Sequence, residues 1–271
     1  MENLEKILQQ YKLIDTIPSL EEEQETFYEY VYATNNLEGN QLSLLQTTEL
    51  FKSDTVSGTN IRTSDILEQK GMYRALKRML LAAKNKEDLS ISLILELNWL
   101  CLGSLWKEDY YQSAKEKGQL ENEFKISQNV ISIKQNGIEL EKIIPLSTSE
   151  NVRNNMITLI EKINNSDATI LEKCVFLAQE IWLHQPFVDG NKRTGRLLIN
   201  FLMIKAGYPL FSFNHKTVNY NSLLVEQYYN SKPNLIQNYI IETLSEKMNL
   251  AISSHSKINK DFKGFRLVLS I

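Results

Sequence analysis

Two cysteines, five prolines and ten glycines are all that 271 residues contain. So few chain breakers leave room for long uninterrupted elements. Cys101 and Cys174 lie in apolar segments. They read as core thiols of a reducing compartment, and a cytoplasmic location is expected. No Cys/His cluster has the spacing of a zinc site, so a zinc centre is not expected. Long apolar runs are missing as well. The richest, 197–204, carries Asn200 and stops at Lys205, far short of the roughly 20 residues of a membrane span. Met1 to Gln10 mixes Glu, Lys and Gln and does not read as a signal peptide. Excess positive charge is also absent: 30 Lys and Arg against 33 Asp and Glu give a net charge of −3. General affinity for nucleic-acid phosphates is therefore not expected, although a local basic site is allowed. Neither nucleic acid nor membrane is an expected partner.

What is present is ordinary globular composition, 42% apolar and 23% charged, which argues against disorder. The length fits one large domain. Apolar spacing predicts helices over 21–33, from Ser64-Asp65 to about 80, over 89–105, over 170–182 ahead of Pro186, over 194–206 ahead of Gly207, and over 235–250. One stretch differs: 130–134 alternates, Asn136-Gly137 is a turn signal, and 138–140 reads as the return strand. The expectation is an all-α fold with one small β-hairpin. It divides into a helical N-terminal region (1–60), a core (61–250) and a C-terminal tail (251–271). Trp99 and Trp106 read as core, and Tyr110-Tyr111 and Tyr228-Tyr229 as packing or ordinary surface.

The chemistry concentrates in His184-Gln-Pro-Phe-Val-Asp-Gly-Asn-Lys-Arg-Thr-Gly-Arg196. Gly190 lets the backbone approach a ligand. A helix start offers free N–H groups and the positive end of the dipole. Lys192, Arg193 and Arg196 add cations, with Arg193 and Arg196 one turn apart on one face. Asp189 is a hard oxygen ligand suited to Mg²⁺ beside a polyphosphate, and His184 is a candidate general base. Each residue alone is more often structural. Asp-Gly-Asn usually makes a turn, and helix-start cations are usually solvated. Together they are harder to dismiss, because cations there oppose the dipole unless an anion is bound.

This segment resembles the Fic family signature, His-x-Phe-x-(Asp/Glu)-Gly-Asn-(Gly/Lys)-Arg-x-x-Arg. Phe187, Asp189, Gly190, Asn191, Lys192, Arg193 and Arg196 match in register. The resemblance covers about residues 20–250 and implies an all-helical enzyme with a β flap. Such enzymes transfer AMP from ATP to a Ser, Thr or Tyr hydroxyl of a target protein, sometimes their own. By that likeness His184 is the base and Asp189 holds Mg²⁺. Gly190, Asn191, Lys192, Arg193 and Gly195 cradle nucleotide phosphates, Arg196 grips the γ-phosphate, and the flap aligns the target by strand pairing. A homo-oligomer is compatible with it.

Two departures stand out. The position two before Phe187 holds Gln185, so His184 is one residue early. Either Gln185 is an insertion at the helix end, or the base is lost and a nucleotide-binding regulator remains, since glutamine is no base at neutral pH. Lys192 replaces the commoner Gly, as in the Doc-like branch that transfers phosphate. Arg196, which that branch lacks, favours AMP. Upstream, Thr34-Asn-Asn-Leu-Glu38-Gly39 resembles the family's inhibitory motif, in which Glu38 would pair with Arg196 and block the γ-phosphate, and which some members use to remove AMP.

Overall fold

Local hydrogen bonding sets several of the helix starts. Ser19, Ser43 and Thr169 each accept from the backbone N–H three residues on, and Glu22, Gln46 and Glu172 return the bond to the cap. Such reciprocal caps satisfy two otherwise orphaned donors. The computed structural model describes residues 2–14, 19–107, 116, 118–135, 138–214, 219–229 and 234–268. In chain order these form α1 (Glu2–Lys12), α2 (Leu20–Asn36), α3 (Leu44–Ser53), α4 (Thr63–Lys84), α5 (Ile91–Lys107), β1 (Ile131–Gln135), β2 (Ile138–Ile143), α6 (Val152–Asn165), α7 (Ile170–His184), α8 (Asn191–Lys205), α9 (Tyr220–Tyr229) and α10 (Leu235–Val268). The fold is all-α with one antiparallel hairpin, β1 against β2, and its register shifts between Ile133 and Lys134. The Asn136-Gly137 turn and Tyr110-Tyr111 lie outside the described residues.

The core is built around α8. Leu197, Leu198, Ile199, Phe201 and Met203 are fully buried on it, because α2, α4, α5 and α7 all pack against it. Its C-terminal half is apolar around most of its circumference, as such a central position requires, and the one buried polar residue there, Asn200, bonds the Phe211 backbone. Each of those apolar side chains contributes about 1.5–3 kcal/mol on burial. Cys101 and Cys174 are free and buried, and burial pushes the Cys101 thiol up to about 12. Trp106 is buried, whereas Trp99 is only partly covered and packs 5.4 Å from it. No helix among the described residues is long and apolar enough to cross a membrane.

Several boundaries move. Asp65 does not cap α4. Arg62 occupies the cap without a side-chain bond, and Asp65 pairs with it at 2.6 Å. The fifth expected helix begins earlier, at Asn191 directly after Gly190, so the cations of the loop stand on a helix's first turns. The last helix runs on to Val268 instead of ending near 250. Helices α1, α3, α6 and α9 fall outside the expected set, although α1 and α6 carry clear amphipathic spacing.

Candidate active site

Pro186 ends α7, and the chain must reverse within a few residues to enter α8. Three devices hold that corner. Gln185 caps α7 in the left-handed region, φ 45°. Its side chain donates to the Trp182 carbonyl at 2.6 Å and accepts from Asn191 at 2.8 Å. The Asn191 amide closes on Phe187, accepting from its N–H at 2.9 Å and donating to its carbonyl at 2.8 Å. Phe187 itself is fully buried, with its ring 5.7 Å from Phe124. Gly190 has φ 78°, and a Cβ there would lie 2.6 Å from Leu102 and 2.9 Å from Asn98, so glycine is required twice over.

The anion-binding end of α8 follows from this corner. Thr194 N–H is the first to close on the helix, bonding the Gly190 carbonyl at 2.8 Å. The N–H groups of 191–193 precede it and point out of the helix start, as first-turn donors do. Asn98 of α5 braces the corner by donating to the Asp189 carbonyl at 3.0 Å and to Thr194 Oγ1 at 3.2 Å.

The four charged side chains divide sharply. Asp189 is exposed; one oxygen accepts from Gly190 N–H at 2.5 Å and the other lies 3.4 Å from Arg193. Arg193 is buried and donates to Glu68 at 3.0 Å; Glu68 in turn accepts from Asn40 at 2.9 Å. Its Nε has no partner among the described residues. Arg196 is completely buried. It donates to Thr34 Oγ1 at 2.6 Å, the Thr34 carbonyl at 2.9 Å, Asn221 at 3.0 Å and Glu38 at 2.9 Å. Lys192 reaches the other Glu38 oxygen at 2.8 Å. Burial would raise the Glu38 carboxyl, but Arg196, Lys192 and Arg193 outweigh it and hold the group well below the usual carboxylate range. Gly195 lies one turn into α8, where a Cβ would meet Ile181 of α7 at 4.0 Å.

His184 is the last helical residue of α7 and is partly buried. Its Nδ1 shares a 2.6 Å hydrogen bond with Ser147, and its Nε2 lies 3.3 Å from Glu180. Neither ring nitrogen meets a residue of the loop 186–196 among the described residues, so the structure gathers Asp189, Lys192, Arg193, Arg196 and Glu38 more closely than it does the histidine.

A cleft of about 580 Å³ opens beside Lys192, lined among others by Ile131 and Ile133 of β1, Trp182 of α7, and Asn221 and Tyr229 of α9. Tyr229 donates to Glu141 of β2 at 2.5 Å and so ties α9 to the hairpin; Tyr228 is exposed and packs edge-on to Trp182. Glu68, Asn98, Ser147 and Asn221 were not singled out from the sequence. Each comes from a different helix or loop, and no local pattern marks them.

A sequence model of the Fic/DOC family matches residues 89–203. Protein adenylyltransferase fic-1 of Caenorhabditis elegans is 29% identical over 255 residues, covering 88% of this chain and 46% of the relative. Its Caenorhabditis briggsae counterpart is 30% identical over 191 residues, covering 68% and 33%. The chain thus spans less than half the length of these curated relatives. A solved Fic-domain-containing signaling protein from Bacteroides thetaiotaomicron has TM-score 0.76 at 25% identity, over 94% of this chain and 97% of that one. The solved Fic-1 of Caenorhabditis elegans shares the fold at TM-score 0.67 and 21% identity, over 94% and 70%.

Proposed function

The chain carries a Fic/DOC family domain, and from that premise we propose that it is a protein adenylyltransferase. It would transfer AMP from ATP to a Ser, Thr or Tyr hydroxyl of a target protein, its own included, and be restrained by Glu38. The single observation that carries the reading is the carboxylate of Glu38 seated at the cationic head of α8, 2.9 Å from Arg196 and 2.8 Å from Lys192. A site that binds one anion this way is built for anions. Relatives named protein adenylyltransferases supply the reaction class.

The nucleotide phosphates would lie on the N–H groups of 191–193, with Lys192 and Arg196 as counter-charges once Glu38 leaves. The adjoining cleft of about 580 Å³ falls within the usual range of small-molecule sites, about 300–1,000 Å³. Among the described residues no three His, Cys, Asp or Glu side chains gather as a metal site. The exposed Asp189 carboxylate, alone in the loop, fits Mg²⁺, which commonly takes one or two carboxylates with phosphate oxygens completing its shell. When bound, that ion would neutralise charge on the transferring phosphate. His184 would remove the target hydroxyl proton as the oxygen bonds to the α-phosphorus and the bond to the pyrophosphate oxygen breaks.

Intact-protein mass spectrometry of the Glu38→Gly protein with ATP tests the reading. The expected result is addition of AMP, with label carried over from α-labelled and not γ-labelled ATP. Phosphate addition would mean Doc-like transfer instead. Nucleotide binding with no transfer would mean a regulator, a reading favoured by the Ser147 and Glu180 contacts that occupy both nitrogens of His184.

The metal role makes a separate prediction. In the Glu38→Gly background, ATP affinity measured by calorimetry should fall about tenfold or more on chelating Mg²⁺, the scale of one charged contact. Asp189→Ala should bind ATP that weakly with or without the ion. Equal affinity in all four conditions would remove Asp189 from metal binding.

A further inference from the structure

The deepest polar contact of His184 lies outside the signature. Ser147 sits in the segment between the hairpin and α6, is fully buried, and shares the 2.6 Å hydrogen bond with His184 Nδ1. It is fixed from both sides. The buried Lys125 ammonium donates to the Ser147 carbonyl at 2.7 Å, and the neighbouring Leu146 N–H donates to the Leu183 carbonyl at 2.9 Å. Asn155 of α6 donates to Ser147 Oγ at 2.9 Å and is itself held by Asn151 at 3.3 Å.

Counting protons decides the direction of each bond. A serine hydroxyl has one proton and two lone pairs, and a neutral imidazole has one donor and one acceptor nitrogen. Asn155 takes one lone pair of Ser147. No other acceptor for the hydroxyl proton is in reach among the described residues, so at rest Ser147 donates to Nδ1. The ring proton then sits on Nε2 and faces the Glu180 carboxylate at 3.3 Å. Every polar atom is satisfied in that arrangement, and the base is out of use, because Nε2 has no free lone pair.

We propose that Ser147 is the positioning residue that sets the tautomer of His184, donating to Nδ1 at rest and accepting from Nδ1–H in the acting form. The inference rests on His184 being the base. In the acting form Glu180 releases Nε2, and exchange with water moves the ring proton to Nδ1 without net gain or loss. Ser147 Oγ then accepts from Nδ1–H, and the Asn155 amide, 2.9 Å away, turns over so that its oxygen takes the Ser147 hydroxyl proton. The Nε2 lone pair takes the proton of the target hydroxyl while its oxygen bonds to phosphorus and pyrophosphate departs. A hydroxyl suits this post because it can donate or accept by rotating. An alanine can do neither, and a threonine can do both.

The test uses the full chain in the Glu38→Gly background. Ser147→Ala should lower kcat about tenfold, the upper end for one net hydrogen bond, with KM for ATP within about twofold, since no phosphate contact changes. Ser147→Thr should restore kcat. Nitrogen-15 spectra of the ring should show the Nδ1 resonance of Ser147→Ala moved to that of an unbonded imine nitrogen, and that of Ser147→Thr unmoved. An unchanged kcat in Ser147→Ala, or an unmoved Nδ1 resonance, would overturn the proposal. So would a Ser147→Thr protein as slow as Ser147→Ala with its Nδ1 bond intact, because the loss would then lie in packing. Should the parent protein transfer nothing at all, the adenylyltransferase reading fails, while the nitrogen resonance still decides the contact.

Discussion

Glu38→Gly should raise self-AMPylation by about ten- to a hundredfold. Glu38 Oε1 lies 2.9 Å from Arg196 and Oε2 2.8 Å from Lys192, and Asn221 donates to Oε1 at 3.1 Å. ATP must displace at least one charge-assisted hydrogen bond worth about 1.5–3 kcal/mol, and each 1.4 kcal/mol is about a decade. A second observable follows from burial. Without Glu38 the fully buried Arg196 keeps only neutral partners, and an unpaired buried charge is strongly destabilising. The variant should therefore melt several degrees lower than wild type in a thermal scan, with ATP recovering most of the difference. Arg196→Ala should not become active, because the γ-phosphate loses its own partner. The contact is also insensitive to ordinary pH. Glu38 titrates well below its usual value of 4.5, so the stability it contributes is complete above that value and is lost only as pH falls toward the depressed one. A Glu38→Gly protein no more active than wild type would end the inhibitory role.

His184→Ala should abolish transfer in the activated background, by about 10²–10⁴-fold, the usual cost of losing a general base. Gln185→Ala should leave most of it. The structural ground is the helix end. His184 completes α7, and Gln185 is one residue past it with φ 45°, occupied by the Trp182 carbonyl and Asn191. A cap of this geometry can absorb a single inserted residue, which supports His184 as the base. Losing the neutral hydrogen bond of Gln185 to Asn191 should cost no more than about 0.5–1.5 kcal/mol of loop order, at most about tenfold in rate. Single-turnover assays with labelled ATP separate the two. The opposite ranking would mean that the base has been replaced and that Gln185 stands in its position.

The sequence by itself carried the parts of this protein whose signals are local. Helix α7 was legible because its apolar residues recur with helical spacing up to a stop at Pro186. The hairpin was legible from alternation, and the anion loop because a glycine and several cations crowd one helix start. Thr34 and Glu38 were legible as a short motif, and both meet Arg196, although Glu38 lies in the turn just past the end of α2 at Asn36 and not on the helix itself. Only the tertiary structure decided which cations face which partner. Arg193, which the sequence places among the cations of the loop, is buried and pairs with Glu68, a residue 125 positions away. Gly195 faces Ile181 of α7, so that a Cβ there would lie 4.0 Å from that side chain. Asn191 braces Phe187, Lys192 closes on Glu38, and Ser147 reaches His184 across 37 residues. The physical reason is common to all of them. Spacing along one helix fixes which side chains share a face, but the partner of that face is set by packing. A buried charge or polar group takes whatever counter-group the neighbouring helix brings within about 3 Å.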